Sequence, residues 1–258
     1  MAYLGLVVGF AVLAWGLYAG GRAAAGYLAT ETPYAWDQSL GDLAKTQFLT
    51  GATECTNPVL LDAVQEIVDR LIIGLEPEFR DVDVYVLEDD KINAFALPGG
   101  QIFVLTGLLE EIESPEELVG VLGHELGHVV ERHGMQRIAE SLWFNFIMAQ
   151  IFGDISGIGE TMAAKSFELL ETGFDRDQER ESDAFGLALM RKVGYEPRDF
   201  PKFFGRLPDH GLPEFLSTHP DPGGRADTLR DAIAQMEPLR DPISPPSLTV
   251  LKAPCHDR

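Results

Sequence analysis

The stretch His124–His128, which reads HELGH, constrains the fold of this chain more than any other feature. It matches the helical metal-binding signature H-E-x-x-H. Residues four apart on an α-helix project from the same face, so His124 and His128 can present two imidazoles to one zinc ion. Zinc lowers the pKa of a water that it holds to roughly 7, and a carboxylate beside that water can take its proton. The motif therefore predicts one Zn²⁺ per chain and peptide hydrolysis, with Glu125 as the general base.

The residues around the motif predict the helix that it needs. Ser114 and Pro115 are typical of a helix start, and Glu117 completes the spacing of a capping box. Gly134 is typical of a helix end. Apolar residues recur at helical spacing on the side roughly opposite the histidines, namely Leu118, Leu122, Leu126 and Val129.

Three glycines lie inside this predicted helix, at Gly120, Gly123 and Gly127. Each destabilises a helix by about 1 kcal/mol relative to alanine. Their presence predicts that another backbone packs very close to this helix, and that the helix lies inside the protein.

Composition limits the class of protein. The 258 residues, 45% of them hydrophobic, are enough for one large domain with a substantial core. The net charge of -21, from 41 acidic and 20 basic residues, argues against a nucleic-acid partner and against a basic patch that docks on anionic lipid. The chain has two cysteines, Cys55 and Cys255, whose spacing fits neither a zinc nor a redox motif; they could be free thiols or one long-range disulfide.

Residues 2–21 contain no charged side chain, and about 20 apolar residues suffice to span a bilayer as a helix. A cleaved signal peptide is the alternative, since Ala23–Ala25 could serve a signal peptidase. However, the basic region of a signal peptide is missing, and the apolar run exceeds the usual length of about 7 to 15 residues. We therefore predict a transmembrane anchor over residues 1–26.

The remaining chain divides into a polar connection over 27–56, a catalytic domain over 57–237, and a proline-rich extended tail over 238–258. Asn57 and Pro58 predict a helix start, and the helix continues to about residue 75. Alternating apolar residues predict strands over 82–86 and 101–106, separated by a turn at Pro98–Gly100. The fold class is thus α+β and mainly helical, with a small sheet before the HELGH helix.

An apolar helix is predicted over residues 135–152, followed by a glycine-containing loop and a second helical stretch to about residue 170. Such a hairpin is most often part of a core. An amphipathic lid, or an element that rests on a membrane, is the alternative.

A second helix is predicted to complete the metal site. The residues from Asp175 to Gln178 resemble a capped helix start, and Gly194 marks the end. Glu179 and Asp183 are four apart and share one face. In a site of two histidines and one glutamate, a carboxylate from a second helix binds the metal, while a nearby acid orients a ligand histidine. We predict that Glu179 is the third ligand and that Asp183 orients a histidine.

These motifs carry a family resemblance. The HELGH motif followed by the run Phe174–Asp183 resembles the gluzincin metallopeptidases of the HtpX, BepA and CaaX prenyl protease group. Asn93–Gly100, and His219 followed by Pro220 and Arg225, also look like elements of that family. The similarity spans roughly residues 57–235.

The chain departs from the family at Ser182, where alanine is common, and at Asp175, where serine is usual. Neither change removes a ligand. The several transmembrane spans of the HtpX and prenyl protease branches are not evident, so the chain is most similar to the compact BepA-like branch.

The resemblance implies a zincin-like fold and a zinc-dependent, membrane-associated endopeptidase that cleaves polypeptides. It implies an extracytoplasmic location, because many members serve protein quality control in the cell envelope. It also implies that Glu179 binds zinc and that His219 approaches the metal, either to cap it in a resting state or to stabilise an oxyanion. A polar surface residue is the alternative for His219, and His133 is predicted to cap a helix C-terminus.

The resemblance further implies an edge strand beside the metal, to which an extended substrate adds through main-chain hydrogen bonds. The predicted substrate-binding residues are Gly99, Gly100, Gln101, Ile102 and Phe103.

Two other functions compete with a membrane-tethered endopeptidase. One is a latent enzyme or non-catalytic chaperone that retains the zinc site, against which the complete set of motif residues argues. The other is an intramembrane protease. Charged residues surround the motif, however, and such residues are unsuited to a bilayer interior. They are Glu110, Glu111, Glu113, Glu116, Glu117, Glu131 and Arg132.

Overall fold

The computed structural model describes residues 2–152, 173–207, 219 and 222–256. Its strands are β1 (Asp83–Leu87), β2 (Ala94–Ala96) and β3 (Gln101–Leu105). Its helices are α1 (Ala2–Thr30), α2 (Ala35–Gly51), α3 (Pro58–Ile72), α4 (Thr106–Glu111), α5 (Pro115–Val130), α6 (His133–Phe152), α7 (Arg176–Val193), α8 (Phe200–Arg206), α9 (Pro222–Ala234) and α10 (Leu248–Leu251). Short 3₁₀ turns occur at Pro77–Phe79 and Pro197–Asp199. The predicted class, α+β and mainly helical with a small sheet before the HELGH helix, is confirmed.

The three strands form one sheet in the order β1-β3-β2. β1 runs parallel to β3, with Val84 opposite Ile102, and β2 runs antiparallel to β3, with Phe95 opposite Phe103. Strand β2 was not predicted, because only the turn at Pro98–Gly100 was assigned between the two predicted strands and Ala94–Ala96 were left unassigned.

The position of β3 corrects the predicted substrate site. β3 is the central strand, hydrogen-bonded to a neighbour on each side, and all five of its residues are buried. Gly99 and Gly100, with φ of 86° and 98°, form the turn that leads into it. The prediction that residues 99–103 act as an edge strand for substrate is therefore wrong, since the main-chain groups of Gln101, Ile102 and Phe103 already serve the sheet.

Helix α5 is an internal helix that packs most extensively against α7. A Cβ atom on Gly123 would lie 3.3 Å from the Cα of Gly186, and one on Gly127 would lie 2.8 Å from the Cα of Ser182. The predicted close approach of a second backbone is confirmed. A larger residue at either position would push the two helices apart, and with them the side chains that they carry toward each other.

The start of α5 is as predicted, but its capping contact is not. Pro115 is the first helical residue, yet the Ser114 hydroxyl makes no capping hydrogen bond. The Glu117 carboxylate instead accepts a hydrogen bond from the Glu113 N–H (2.9 Å) and pairs with Arg206 of α8 at 2.6 Å. A half-buried cation on another helix pairs with the carboxylate that local spacing assigned to a capping box.

The end of α5 lies earlier than predicted. The helix ends at Val130, and Arg132 takes a left-handed conformation with φ of 57°. Its guanidinium donates hydrogen bonds to the last residue of α1, Thr30, to Thr32 in the turn that follows, and to Asp37 in the first turn of α2, with which it forms a buried ion pair. Gly134 is therefore inside α6, and the prediction that His133 caps α5 is wrong, because His133 is the first residue of α6.

The N-terminal region is more helical than predicted. α1 continues to Thr30, and α2 lies within the predicted connection. α1 packs along α6, where Trp143 Nε1 donates to the carbonyl of Tyr18 (3.3 Å) and Arg22 pairs with Glu140 (2.6 Å). In the part of the chain that the structure describes, no helix is long and apolar enough to cross a membrane, so the anchor predicted for residues 1–26 is not supported.

The predicted tail packs onto the domain. Cys255 forms a disulfide with Cys55, 200 residues earlier, and Leu251 of α10 is fully buried near α3. Helix α6 confirms the predicted helix over 135–152. The second helical stretch predicted to residue 170 lies outside the described residues.

Candidate metal centre and active site

Four buried side chains converge between α5, α7 and the segment before α9. They are His124, His128, Glu179 and His219, each 1–3% exposed. One ligand atom from each lies within 4.8 Å of all the others. The HELGH helix supplies the first two and α7 the third, so the close crossing of these helices builds most of the cluster.

The spacing of the donor atoms fits zinc. Two donors about 2.0–2.1 Å from a tetrahedral ion are roughly 3.3 Å apart. The His124 and His128 Nε2 atoms are separated by 3.0 Å, and the His128 Nε2 and Glu179 Oε1 atoms by 3.4 Å. His219 Nδ1 lies 3.3 Å from His124 Nε2 and 3.1 Å from Glu179 Oε1. Histidine nitrogens and one carboxylate are also the donors that zinc prefers.

For His124, His128 and Glu179, the electrostatic surroundings favour the protonation states that metal binding requires. Burial lowers the pKa of His124, and lowers that of His128 well below its ordinary value, which favours the neutral form of both imidazoles. Burial opposes ionisation of Glu179, but the charges of His219 and Arg225 hold the pKa of this carboxyl well below its usual range. Metal ligands bind as neutral imidazole and ionised carboxylate.

Glu125 lies next to the cluster on α5, 1% exposed, with its Oε1 3.5 Å from His219 Nε2. Burial raises the pKa of Glu125 to about 7, although the neighbouring charge of His219 opposes the rise. A carboxyl with a pKa near neutrality can both take up and release a proton, which is what general acid–base catalysis needs.

An ionic network holds the His124 side of the cluster. His124 Nδ1 lies 3.0 Å from Asp183 Oδ1, and Arg225 of α9 donates two hydrogen bonds to Asp183 at 2.6 and 2.7 Å. Arg225 Nη1 also lies 2.5 Å from the Glu179 carboxylate. The sequence analysis assigned no role to Arg225. Its position after His219, in an element that resembles the family, was the only indication that it belongs to the site.

A different set of residues contacts His128. His128 Nδ1 lies 3.0 Å from His133 Nδ1, and His133 Nε2 lies 3.2 Å from Glu181 Oε2. The Phe174 ring stacks on His128 with the ring centroids 3.8 Å apart. Glu181 points away from the cluster, with its side chain 62% exposed. Glu179, and not Glu181, is therefore the residue of α7 that belongs to the four-residue cluster.

The domain is mainly helical α+β, and it brings an H-E-x-x-H helix and a glutamate of a second helix to one buried cluster. This arrangement defines a class, the zinc metallopeptidases. The comparison of this sequence with family models then identifies the particular family. The model of peptidase family M48 matches residues 60–233. The chain belongs to peptidase family M48.

Individual relatives agree with this assignment. The chain is 37% identical over 161 residues to the mitochondrial metalloendopeptidase OMA1 of Arabidopsis thaliana, covering 61% of this chain and 33% of that protein. It is 32% identical over 208 residues to the mitochondrial metalloendopeptidase OMA1 of Bos taurus, covering 72% and 40%. It is 27% identical over 219 residues to the beta-barrel assembly-enhancing protease of Yersinia pestis, covering 78% and 45%. The matches span between a third and a half of these relatives' length.

Proposed function

We propose that this chain is a zinc-dependent metalloendopeptidase in which His124, His128 and Glu179 hold the ion and Glu125 is the general base. One observation carries the proposal. The two Nε2 atoms of the HELGH histidines and a carboxylate of Glu179 converge within 3.0–3.6 Å of one another, with Glu125 buried beside them. Family membership and the metallopeptidase relatives support it.

Each residue has a task in peptide hydrolysis. Zinc, when bound, would polarise the substrate carbonyl and lower the pKa of a water molecule, which then attacks as hydroxide. Glu125 takes the proton of the attacking water and passes it to the nitrogen that leaves. Asp183 keeps His124 oriented, with Arg225 fixing Asp183 and neutralising part of the acidic charge.

His219 is proposed to cap the metal in a resting state. Its Nδ1 lies at the spacing of a fourth ligand from both His124 and Glu179, which supports this role over that of a surface residue. A tetrahedral ion with four protein ligands has no open position, whereas catalysis requires one. If His219 held the ion as a fourth ligand, its ring would have to withdraw before a substrate carbonyl could bind, and it could then face the developing oxyanion.

Substrate alignment is proposed on β2 instead of β3. Among the described residues, β2 pairs on one side only, with β3, and it packs against α5. The backbone of Ala96 opposes the rise in the pKa of the Glu125 carboxyl, so this strand ends beside the general base. An extended polypeptide that adds to this edge through main-chain hydrogen bonds passes close to the metal cluster.

The location of the protein is proposed to be the cell envelope or another oxidising compartment that adjoins a membrane. The buried disulfide between Cys55 and Cys255 supports this, since such bonds persist in oxidising environments. The relatives support it by name, as a beta-barrel assembly-enhancing protease and as mitochondrial metalloendopeptidases. Membrane or envelope proteins that have lost their fold, and so expose extended segments, are the proposed substrates.

Metal analysis and casein cleavage test the proposal together. We expect one zinc per purified chain, and cleavage that a chelator abolishes and added zinc restores. A chain that binds stoichiometric zinc and cleaves no unfolded polypeptide, even with His219 replaced by Asn to free the fourth position, would be a latent or non-catalytic assembly factor instead. Lack of zinc binding would refute both functions.

A further inference from the structure

His128 uses both ring nitrogens. Its Nε2 faces His124 Nε2 at 3.0 Å, inside the metal cluster, and its Nδ1 faces the opposite way, 3.0 Å from His133 Nδ1. His133 is completely buried at the first position of α6. Its other nitrogen, Nε2, lies 3.2 Å from the carboxylate of Glu181 on α7. The three side chains form a continuous hydrogen-bonded line from the metal cluster to the surface.

The direction of these hydrogen bonds follows from elementary proton accounting. An imidazole whose Nε2 lone pair goes to a metal carries its proton on Nδ1. That proton needs an acceptor, so His133 must present the lone pair of its own Nδ1 to His128. The proton of neutral His133 is then on Nε2, where it can be donated to Glu181. The opposite tautomer of His133 would place two N–H groups against each other at 3.0 Å.

We propose that His133 and Glu181 are positioning residues for zinc binding: Glu181 selects the tautomer of His133, and His133 then fixes the ring and tautomer of His128. The inference rests on one part of the proposed function, namely that His128 binds zinc through Nε2. It concerns zinc affinity and not hydrolysis, so its test does not depend on finding a substrate.

The two residues contribute unequally because their surroundings differ. Water cannot reach His128 Nδ1 to replace His133, which is buried with Ser182 beside it (Oγ to His133 Nδ1, 3.3 Å). Water can replace Glu181, whose side chain is 62% exposed. Loss of His133 thus leaves a ligand N–H without an acceptor, and loss of Glu181 weakens the preference of His133 for one tautomer.

Zinc affinity of the full chain, measured by competition with a chromophoric chelator, tests the proposal. His133→Phe keeps a buried ring and removes the acceptor; we expect zinc binding about 10- to 100-fold weaker. His133→Asn should recover most of the affinity, because its amide oxygen can accept from His128. Glu181→Ala should weaken binding measurably, by roughly three- to tenfold. His256→Phe, at a half-exposed histidine paired with Glu88, is the matched control and should bind zinc normally.

Urea unfolding of the metal-free variants separates this role from packing. An unchanged unfolding midpoint together with weaker zinc binding supports a positioning role, and rescue by Asn, which a filler of space would not give, confirms it. Normal zinc affinity in His133→Phe, or equal loss in His133→Asn, would overturn the proposal. If His133→Phe does not fold, Glu181→Ala decides: affinity equal to that of the parent chain would overturn it. A parent chain that binds no zinc refutes the proposed function instead.

Discussion

The two histidines of the HELGH motif are held in different ways. His124 contacts a buried carboxylate, Asp183, which is itself fixed by the buried guanidinium of Arg225. His128 contacts another histidine, His133, which leads to a carboxylate at the surface. One side of the metal cluster is thus a closed ionic network inside the protein. The other is a hydrogen-bonded line of two histidines that ends at an exposed carboxylate.

This difference predicts how much each side contributes to fold stability and to zinc binding. Removing one member of a buried ion pair leaves an uncompensated charge, which is strongly destabilising. Removing a neutral partner leaves one unpaired polar group, at a smaller cost. The Asp183 side should therefore determine both fold stability and zinc binding, whereas the His133 side should determine mainly zinc binding.

The largest expected effect is loss of the metal from Glu179→Ala. Glu179 belongs to both sides, since its carboxylate contacts His128 Nε2 and Arg225. We expect this variant to be purified without stoichiometric zinc, whereas Glu181→Ala should retain zinc when the metal is in excess. Metal analysis by atomic emission gives the result. A metal-free Glu181→Ala beside a zinc-loaded Glu179→Ala would reverse the assignment of the two carboxylates.

Glu125→Gln should separate chemistry from metal binding. Glu125 belongs to neither side of the comparison, and its replacement removes the general base while all four side chains of the cluster stay in place. We expect casein cleavage to fall about 10²- to 10⁴-fold with the zinc content unchanged. Initial rates on a quenched peptide measure the loss. Undiminished cleavage by a zinc-loaded variant would rule out the proposed base.

Asp183→Ala should reveal the ionic side of the cluster. It leaves Arg225 buried with Glu179 as its remaining anionic partner, so we expect a loss of about 3 kcal/mol of unfolding free energy. Urea unfolding in the presence of a chelator measures this without the contribution of zinc. Asp177→Ala, on the exposed surface of the same helix, should cost roughly 0.5 kcal/mol or less. Equal stability of the two variants would abolish the distinction between the two sides.

The smallest expected effect on the metal comes from the disulfide. Replacing both Cys55 and Cys255 by Ser removes a cross-link between residues 200 apart, and we expect a loss of about 2–4 kcal/mol of unfolding free energy. Zinc affinity should change far less than the roughly tenfold loss expected when an outer partner of a ligand is removed, because the cysteines bond to Val86 and Thr56 and neither belongs to the cluster. A large loss of zinc affinity would show that the C-terminal segment also positions the site.

Much of this molecule is determined by local sequence. Side chains three and four residues apart on a helix share a face whatever surrounds them. The sequence alone therefore paired His124 with His128, placed Glu179 and Asp183 together, and turned Glu181 away. The capping box at Asp175, the end of α7 at Gly194, and the glycines that admit a second backbone are likewise properties of short segments, and the structure contains all of them.

Tertiary structure decided the contacts between distant segments. Arg132 ended α5 before the expected Gly134, because its guanidinium binds Asp37, 95 residues away. β3 is the central strand because Ala94–Ala96, which precede the predicted turn, form β2 and pair with it, and β2 is therefore at the edge of the sheet among the described residues. Because α5 ends at Val130, His133 begins α6 and contacts His128 instead of capping α5. Local spacing determines which side chains lie on the same face of a helix. The residues that contact that face depend on which surfaces the whole chain buries together.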